Sequence, residues 1–170
     1  MEAGEKNASS KGCQIGLDGL SSAEKGSYVL LLYLSSKKVI KVGKLGEVVF
    51  PKGYYAYVGS AFGPGGLRAR LRHHLHITNN PHWHIDYLRE HAKIKEILIC
   101  KIKFKYEHKW ATMFQNFEGM TVPVPGFGSS DCRCVTHLFA FERPISLKHF
   151  QKLINKELAG NLKILRVSDE

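Results

Sequence analysis

Hydrophobic and polar positions divide the chain into short, well-marked segments. Tyr28-Val-Leu-Leu-Leu-Tyr-Leu34 is an apolar and aromatic run of strand length, opened by Gly26 and closed by Ser35-Ser36 and two lysines, which predicts a strand. Val39–Val42 and Val48–Phe50 flank Gly43 and Gly46, and Tyr54-Tyr-Ala-Tyr-Val58 runs between Gly53 and Gly59, so several antiparallel strands and a hairpin are expected. From Leu67 the period lengthens. Leu67, Leu71 and Leu75 form one helical stripe while Arg70 and His74 share another face, which predicts a helix with a cationic side. A second helix is expected over 84–91 with Ile85, Leu88 and Ala92 inward, after the break at Asn79-Asn80-Pro81. Residues 94–104 alternate as a strand, and Trp110, Ala111, Phe114 and Phe117 give 107–117 the spacing of a third helix. After the turn-rich Pro125-Gly-Phe-Gly-Ser-Ser-Asp131, residues 137–141 read as a returning strand. Residues 145–159 read as an amphipathic helix through Phe150, Leu153, Ile154 and Leu158, stopped at Gly160.

The pattern implies an α+β domain with a small antiparallel sheet flanked by helices, and its strand-only opening argues against a doubly wound parallel sheet. Residues 1–25 are rich in Gly, Ser, Lys and Glu with little periodicity and are expected to be a flexible leader. The domain proper is then 26–143, with 144–170 a C-terminal helix and tail packed on it.

Charge narrows the function. The 170 residues carry 25 Lys and Arg against 15 Asp and Glu, a net +10, with nine His in addition. Nucleic acid is therefore the leading partner class. No apolar run approaches the ~18–20 residues of a membrane span, and the N-terminus lacks a signal-peptide stretch. Cys13, Cys100, Cys132 and Cys134 are too few and too uneven for a disulfide framework. A cytoplasmic or nucleoid-associated location is expected if the chain is prokaryotic.

Gly26-Ser27-Tyr28 opens one strand, Tyr57-Val58-Gly59 closes another, and a helix bearing Arg70 follows. This order resembles the GIY-YIG nuclease superfamily. Five longer blocks resemble its Uri-type endonuclease branch: Tyr54-Tyr-Ala-Tyr-Val-Gly-Ser-Ala, Gly63-Pro-Gly-Gly-Leu, Arg70-Leu-Arg-His-His, His82-Trp-His-Ile-Asp-Tyr-Leu and Gly126-Phe-Gly-Ser-Ser-Asp-Cys-Arg-Cys. The likeness runs from Gly26 to about Phe141. Residues 29–56 between the two tripeptides form a longer separation than in simpler members, which implies an inserted hairpin over about 37–52.

The resemblance implies metal-dependent hydrolysis of a DNA phosphodiester, a reaction that needs an activated nucleophile and neutralised phosphate oxygens. Tyr28 and Tyr57 match the tyrosines of the two tripeptides, one activating or orienting water and the other supporting the site. A phenol titrates near ~10, so a base role needs a nearby cation; the plainer reading of both is core tyrosine. Arg70 matches the family's helix arginine, whose planar fork suits a phosphate in flight. His74, one turn on, is placed to share proton transfer or hold the phosphate. Glu107-His-Lys-Trp-Ala resembles the start of the helix whose glutamate binds Mg²⁺ or Mn²⁺, although the family's second acidic position is Lys109 here. The alternatives are that Glu107 merely serves the helix dipole, or that the metal role is displaced to Glu118. Ser60, Arg68, Arg72, His73, Lys103 and Lys105 are candidate DNA contacts, within a run of lysines from Lys93 to Lys109.

Two motifs stay open. His82, His84 and Asp86 cannot all face one ion from a helix, so a structural hydrogen-bond network is the expected role. Cys132-Arg-Cys134-Val-Thr-His137 offers metal donors, but Cys-x-Cys is tighter than the usual zinc spacing, and Cys100 or another His would have to complete the set. Its alternatives are a buried hydrogen-bonding loop or a loop beside the active site, with Asp131 in the latter. The chain is thus expected to be a metal-dependent DNA endonuclease of repair or processing, with a possible base-excision partner. The alternatives are a non-catalytic nucleic-acid-binding module of the same fold, or an interaction protein using the C-terminal helix.

Overall fold

The computed structural model describes residues 16–158 and 161–167. Four strands open the domain, β1 (Gly26–Leu34), β2 (Lys38–Val42), β3 (Gly46–Phe50) and β4 (Gly53–Ala61), followed by helices α1 (Gly66–Leu75) and α2 (His84–Arg89). Then come β5 (Lys93–Lys101), α3 (Glu107–Gln115), β6 (Met120–Thr121), β7 (Leu138–Phe141), α4 (Leu147–Leu158) and β8 (Leu162–Arg166). A six-stranded antiparallel sheet has the order β6-β7-β4-β1-β5-β8, and β2 and β3 form a separate hairpin. This is an α+β architecture, and the expected inserted hairpin lies between the strands that carry Tyr28 and Tyr57.

β1 is the centre of the sheet, paired to β4 on one side and β5 on the other. Its unbroken apolar run follows from that position, because both faces are covered. Tyr28, Leu30, Leu32 and Leu34 enter one core with Leu67 and Leu71 of α1, Ile85 and Leu88 of α2, and Phe50 of the hairpin. Val29 and Leu31 enter the other, with Trp110 and Phe114 of α3 and Leu147, Phe150 and Ile154 of α4. Phe114 and Phe150 stack there with centroids 4.3 Å apart. Aromatic pairs of this kind contribute about 0.5–1.5 kcal/mol beyond their burial. Each helix thus carries one apolar stripe, and the sheet lies between two helical layers.

Three parts differ from the sequence reading. Residues 16–25, read within the leader, join the domain: Leu17 and Leu20 are buried in the first core. The Glu24 carbonyl accepts the Leu67 N–H at 2.8 Å, and its carboxylate meets Lys101 Nζ at 2.8 Å. Two leucines in a polar stretch give no period to read. β8, read within the tail, is a sheet edge strand paired to β5. Its five residues follow a helix closely and fall short of a distinct pattern. α3 ends at Gln115, before Phe117 and the prolines. Residues 1–15, which hold most of the expected leader, and the expected helix stop at Gly160 lie outside the described residues. Among the described residues, no helix is long and apolar enough to cross a membrane.

Candidate active site

The C-terminal end of β4, α1, the approach to α2, the first turn of α3 and the 126–137 loop enclose a cleft of about 560 Å³. Its lining includes Tyr57, Ser60, Arg70, Lys105 and Glu107. These residues come from three separate stretches of chain and all belong to the set expected from the sequence.

Tyr57 is nearly buried, at 6% exposure, with its ring against Gly128. A Cβ at Gly128 would lie 2.9 Å from that ring, and its φ of +72° favours glycine in any case. Burial, with Tyr28 beside it, raises the Tyr57 pKa well above the ordinary phenol value. Gly128 also donates its N–H to His84 Nδ1 at 2.9 Å. Burial lowers the His84 pKa, and with Nδ1 accepting, the neutral ring carries its proton on Nε2. His84 lines the cleft, so it offers a donor.

Arg70 is held on two sides. Its guanidinium lies 4.0 Å over the Trp83 ring, and Nη1 donates to the Ser60 carbonyl at 3.2 Å. Stacking and a hydrogen bond together fix the plane of the fork. Glu107 stands in the first turn of α3 with 14% of its side chain exposed, and its Oε1 lies 3.6 Å from His108 Nε2. Asp131 is a second carboxylate on the lining.

Behind the cleft lies a buried polar network. Tyr28 Oη and His74 Nε2 are 2.7 Å apart, and both residues are essentially inaccessible. Burial, followed by the Arg70 charge, pushes the His74 pKa down to about 3, so the ring is neutral. His74 Nδ1 faces Asp86 Oδ1 at 4.0 Å, which favours the proton on Nδ1 and leaves Nε2 to accept from the Tyr28 hydroxyl. Burial, partly offset by Arg70, pushes Tyr28 up to about 12. The Tyr28 phenol also lies over Gly59, where a Cβ would meet Oη at 2.4 Å. A side chain there would displace the phenol.

Asp86 joins these parts. Its Oδ2 accepts the backbone N–H groups of His82 and Trp83, each at 2.9 Å, and Oδ1 accepts from His73 Nε2 at 3.0 Å. The carboxylate thus caps α2 and seats Trp83 under Arg70. The expected separation of His84 from Asp86 is realised: one faces the 126–137 loop and the other faces α1.

The remaining candidates divide by place. Tyr28 and His74 support the cleft from behind and do not line it. His73 is half-buried and tied to Asp86, while Arg72 and Lys103 are exposed and Arg68 is half-buried, all outside the lining. Sequence reasoning gave no role to Trp83, expected only a structural hydrogen-bond network from His84 and Asp86, which both make, and left Asp131 open. The His82-Trp83-His84 block was visible as a motif, but its pairing with Arg70 and Gly128 depends on contacts distant in sequence.

Among the described residues, two clusters can coordinate a metal ion: His108, Cys132, Cys134 and His137, and His73, His74 and Asp86, each with donor atoms within 4.8 Å of one another. In the second, the Asp86 oxygens and His74 Nε2 are already engaged by N–H and O–H donors. His108 is the further histidine that the Cys-x-Cys segment required, whereas Cys100 lies buried in the α3–α4 core.

No curated protein and no solved structure matches this chain. A family model described as a domain of unknown function, DUF123, matches residues 27–159. That span holds the sheet from β1 through β7, both layers of helices and every residue of the cleft, and the chain belongs to the DUF123 family.

Proposed function

We propose that the protein is a metal-dependent DNA endonuclease of the GIY-YIG type, acting in DNA repair or processing. One observation carries this reading: Tyr57, Arg70 and Glu107, the residues its sequence blocks align with the nuclease motif, line one cleft together with Ser60 and Lys105. A basic chain with an arginine fork fixed in a concave site is suited to a polyanion.

The side chains supply complementary parts of a phosphodiester hydrolysis. Arg70, unable to rotate freely between Trp83 and Ser60, presents permanent charge to the non-bridging oxygens. His84, neutral and donating from Nε2, adds a hydrogen bond to the same group. Tyr57 is a protonated phenol at neutral pH and orients the attacking water; it becomes a base only beside a cation. Tyr28 and His74 hold the strand end behind it. Glu107 and Asp131 offer the hard carboxylate oxygens that suit Mg²⁺ or Mn²⁺. Bound there, the ion would supply positive charge for the phosphoryl oxygens.

Labelled single-stranded, duplex, flapped and branched DNA, incubated with Mg²⁺, Mn²⁺ or EDTA, tests the reading. Metal-dependent products are expected, with Arg70→Ala reducing the rate by about 100-fold or more and Tyr57→Phe abolishing base chemistry. Salt-sensitive binding with no products from any substrate would instead support a nucleic-acid-binding module.

A further inference from the structure

Beside the cleft, the 126–137 loop brings two thiols and an imidazole against the first turn of α3. We propose that Cys132, Cys134, His108 and His137 form a tetrahedral zinc site that clamps this loop to α3 and sets one wall of the cleft. Its four donor residues are distinct from the carboxylates assigned to Mg²⁺ or Mn²⁺, although Glu107 lies against one of them, and zinc binding does not depend on nuclease activity.

Geometry is the first support. One donor atom from each residue lies within 4.8 Å of the others. His108 Nδ1 is 3.3 Å from Cys134 Sγ, and His137 Nε2 is 3.5 Å from Cys132 Sγ. A tetrahedral zinc with Zn–S of ~2.3 Å and Zn–N of ~2.05 Å has N···S edges of about 3.6 Å. The two pairs already stand near those edges. Cys-x-Cys is short for a zinc motif, but the other half of the set comes from α3 and from the strand-ward end of the loop, so the tight spacing supplies only two of the four donors.

Chemistry selects the ion. Two thiolates and two imidazoles prefer zinc or another soft to borderline transition ion over Mg²⁺ or Mn²⁺. Hydrogen bonds shape the loop, Gly128 N–H to His84 Nδ1 at 2.9 Å and Cys132 N–H to the Ser129 carbonyl at 3.3 Å among them. Gly126 N–H to the Val135 carbonyl at 2.7 Å and His137 N–H to the Phe127 carbonyl at 2.8 Å close its base, and Phe127 is buried as its anchor. Ser130, Asp131, Arg133 and Val135 are exposed between. A metal crosslink replaces the apolar contacts that such a segment cannot make.

The outer contact joins the site to the cleft. Ligation through His108 Nδ1 places the ring proton on Nε2, which faces Glu107 Oε1 at 3.6 Å. This is a carboxylate–histidine–metal arrangement, in which the carboxylate orients the ligand. His137 belongs both to the donor set and to the cleft lining. Zinc would therefore hold Glu107 and the Asp131 segment at their working separation.

The test uses the full chain, purified reduced and without chelator, with metal content measured by plasma mass spectrometry. It is followed by Co²⁺ titration of the metal-free protein. About one zinc per chain is expected, and Co²⁺ should give thiolate charge-transfer absorption with visible bands of tetrahedral intensity. Cys132→Ser and Cys134→Ser should weaken zinc binding by more than about 100-fold, Cys100→Ala should leave it unchanged, and Glu107→Gln should weaken it about 10-fold. The wild-type spectrum decides even where a variant does not fold. Wild-type protein with no zinc and no thiolate band, a Cys132–Cys134 disulfide in the native protein, or full zinc retention by the double serine variant would overturn the proposal. DNA cleavage is scored separately, so zinc without cleavage sinks only the nuclease reading, and cleavage without zinc sinks only this one.

Discussion

His74 makes the stability of the domain depend on pH in a calculable way. Its ring is 1% exposed and its pKa is pushed from 6.5 to about 3 by burial and by Arg70. The folded-state value lies below the unfolded one, so between these limits the unfolded chain binds the extra proton. Stability is therefore complete above ~6.5 and declines as pH falls toward 3, at about 1.36 kcal/mol per unit. At pH 4.5, two units below the unfolded value, the loss attributable to His74 is about 3 kcal/mol. His74→Gln isolates this contribution, because the amide oxygen can accept from Tyr28 as Nε2 does, but the side chain does not titrate. Urea unfolding of both proteins at intervals from pH 7.5 to 4.5 is the assay. His84 and His137, also lowered by burial, titrate in both chains and cancel in the difference. The wild-type advantage over the variant should shrink by about 3 kcal/mol across the range. A constant gap, or one that widens on acidification, would refute the assignment of a neutral, desolvated His74.

Two further perturbations follow from the geometry. Gly59→Ala places a methyl 2.4 Å from Tyr28 Oη on a strand that cannot recoil from β1, so a loss of about 1–3 kcal/mol is expected in urea unfolding; unchanged stability would show that the phenol does not rest there. If the cleft and its basic rim track a phosphate backbone, log Kd against log salt should be steep, and Lys105→Ala should flatten the slope by about one unit. A salt-independent affinity measured by fluorescence anisotropy would remove the basic groove as the binding surface.

What could be read in advance was whatever is written in contiguous residues. The apolar run of β1 and the stripe of α1 each satisfy a local period, and each element stands where that period places it. Tyr57, Arg70 and Glu107 were nameable because sequence blocks carried them, although only folding brings them to one cleft. Trp83 beneath Arg70 was not legible, since stacking across α1 and the α2 approach has no sequence period. The same holds for His108 beside Cys132 and Cys134: the helix residue is an ordinary exposed-face histidine until the loop folds over it. Leu17, Leu20 and β8 were missed for another reason. Each contributes too few apolar positions to outweigh its polar neighbours, yet long-range contacts with the core decide its place.

The central position of β1 also orders the domain kinetically. Its amides are sealed by β4 and β5 and covered on both faces, so their hydrogen exchange should require global unfolding, whereas edge strands and loop tips exchange through smaller openings. Tyr28 sits on that slow strand and Tyr57 on its partner, while Asp131 sits on a loop exposed to solvent. The cleft thus sets strands whose amides should exchange only on global unfolding against a loop whose exposed amides should exchange through smaller openings unless a bound metal fastens it.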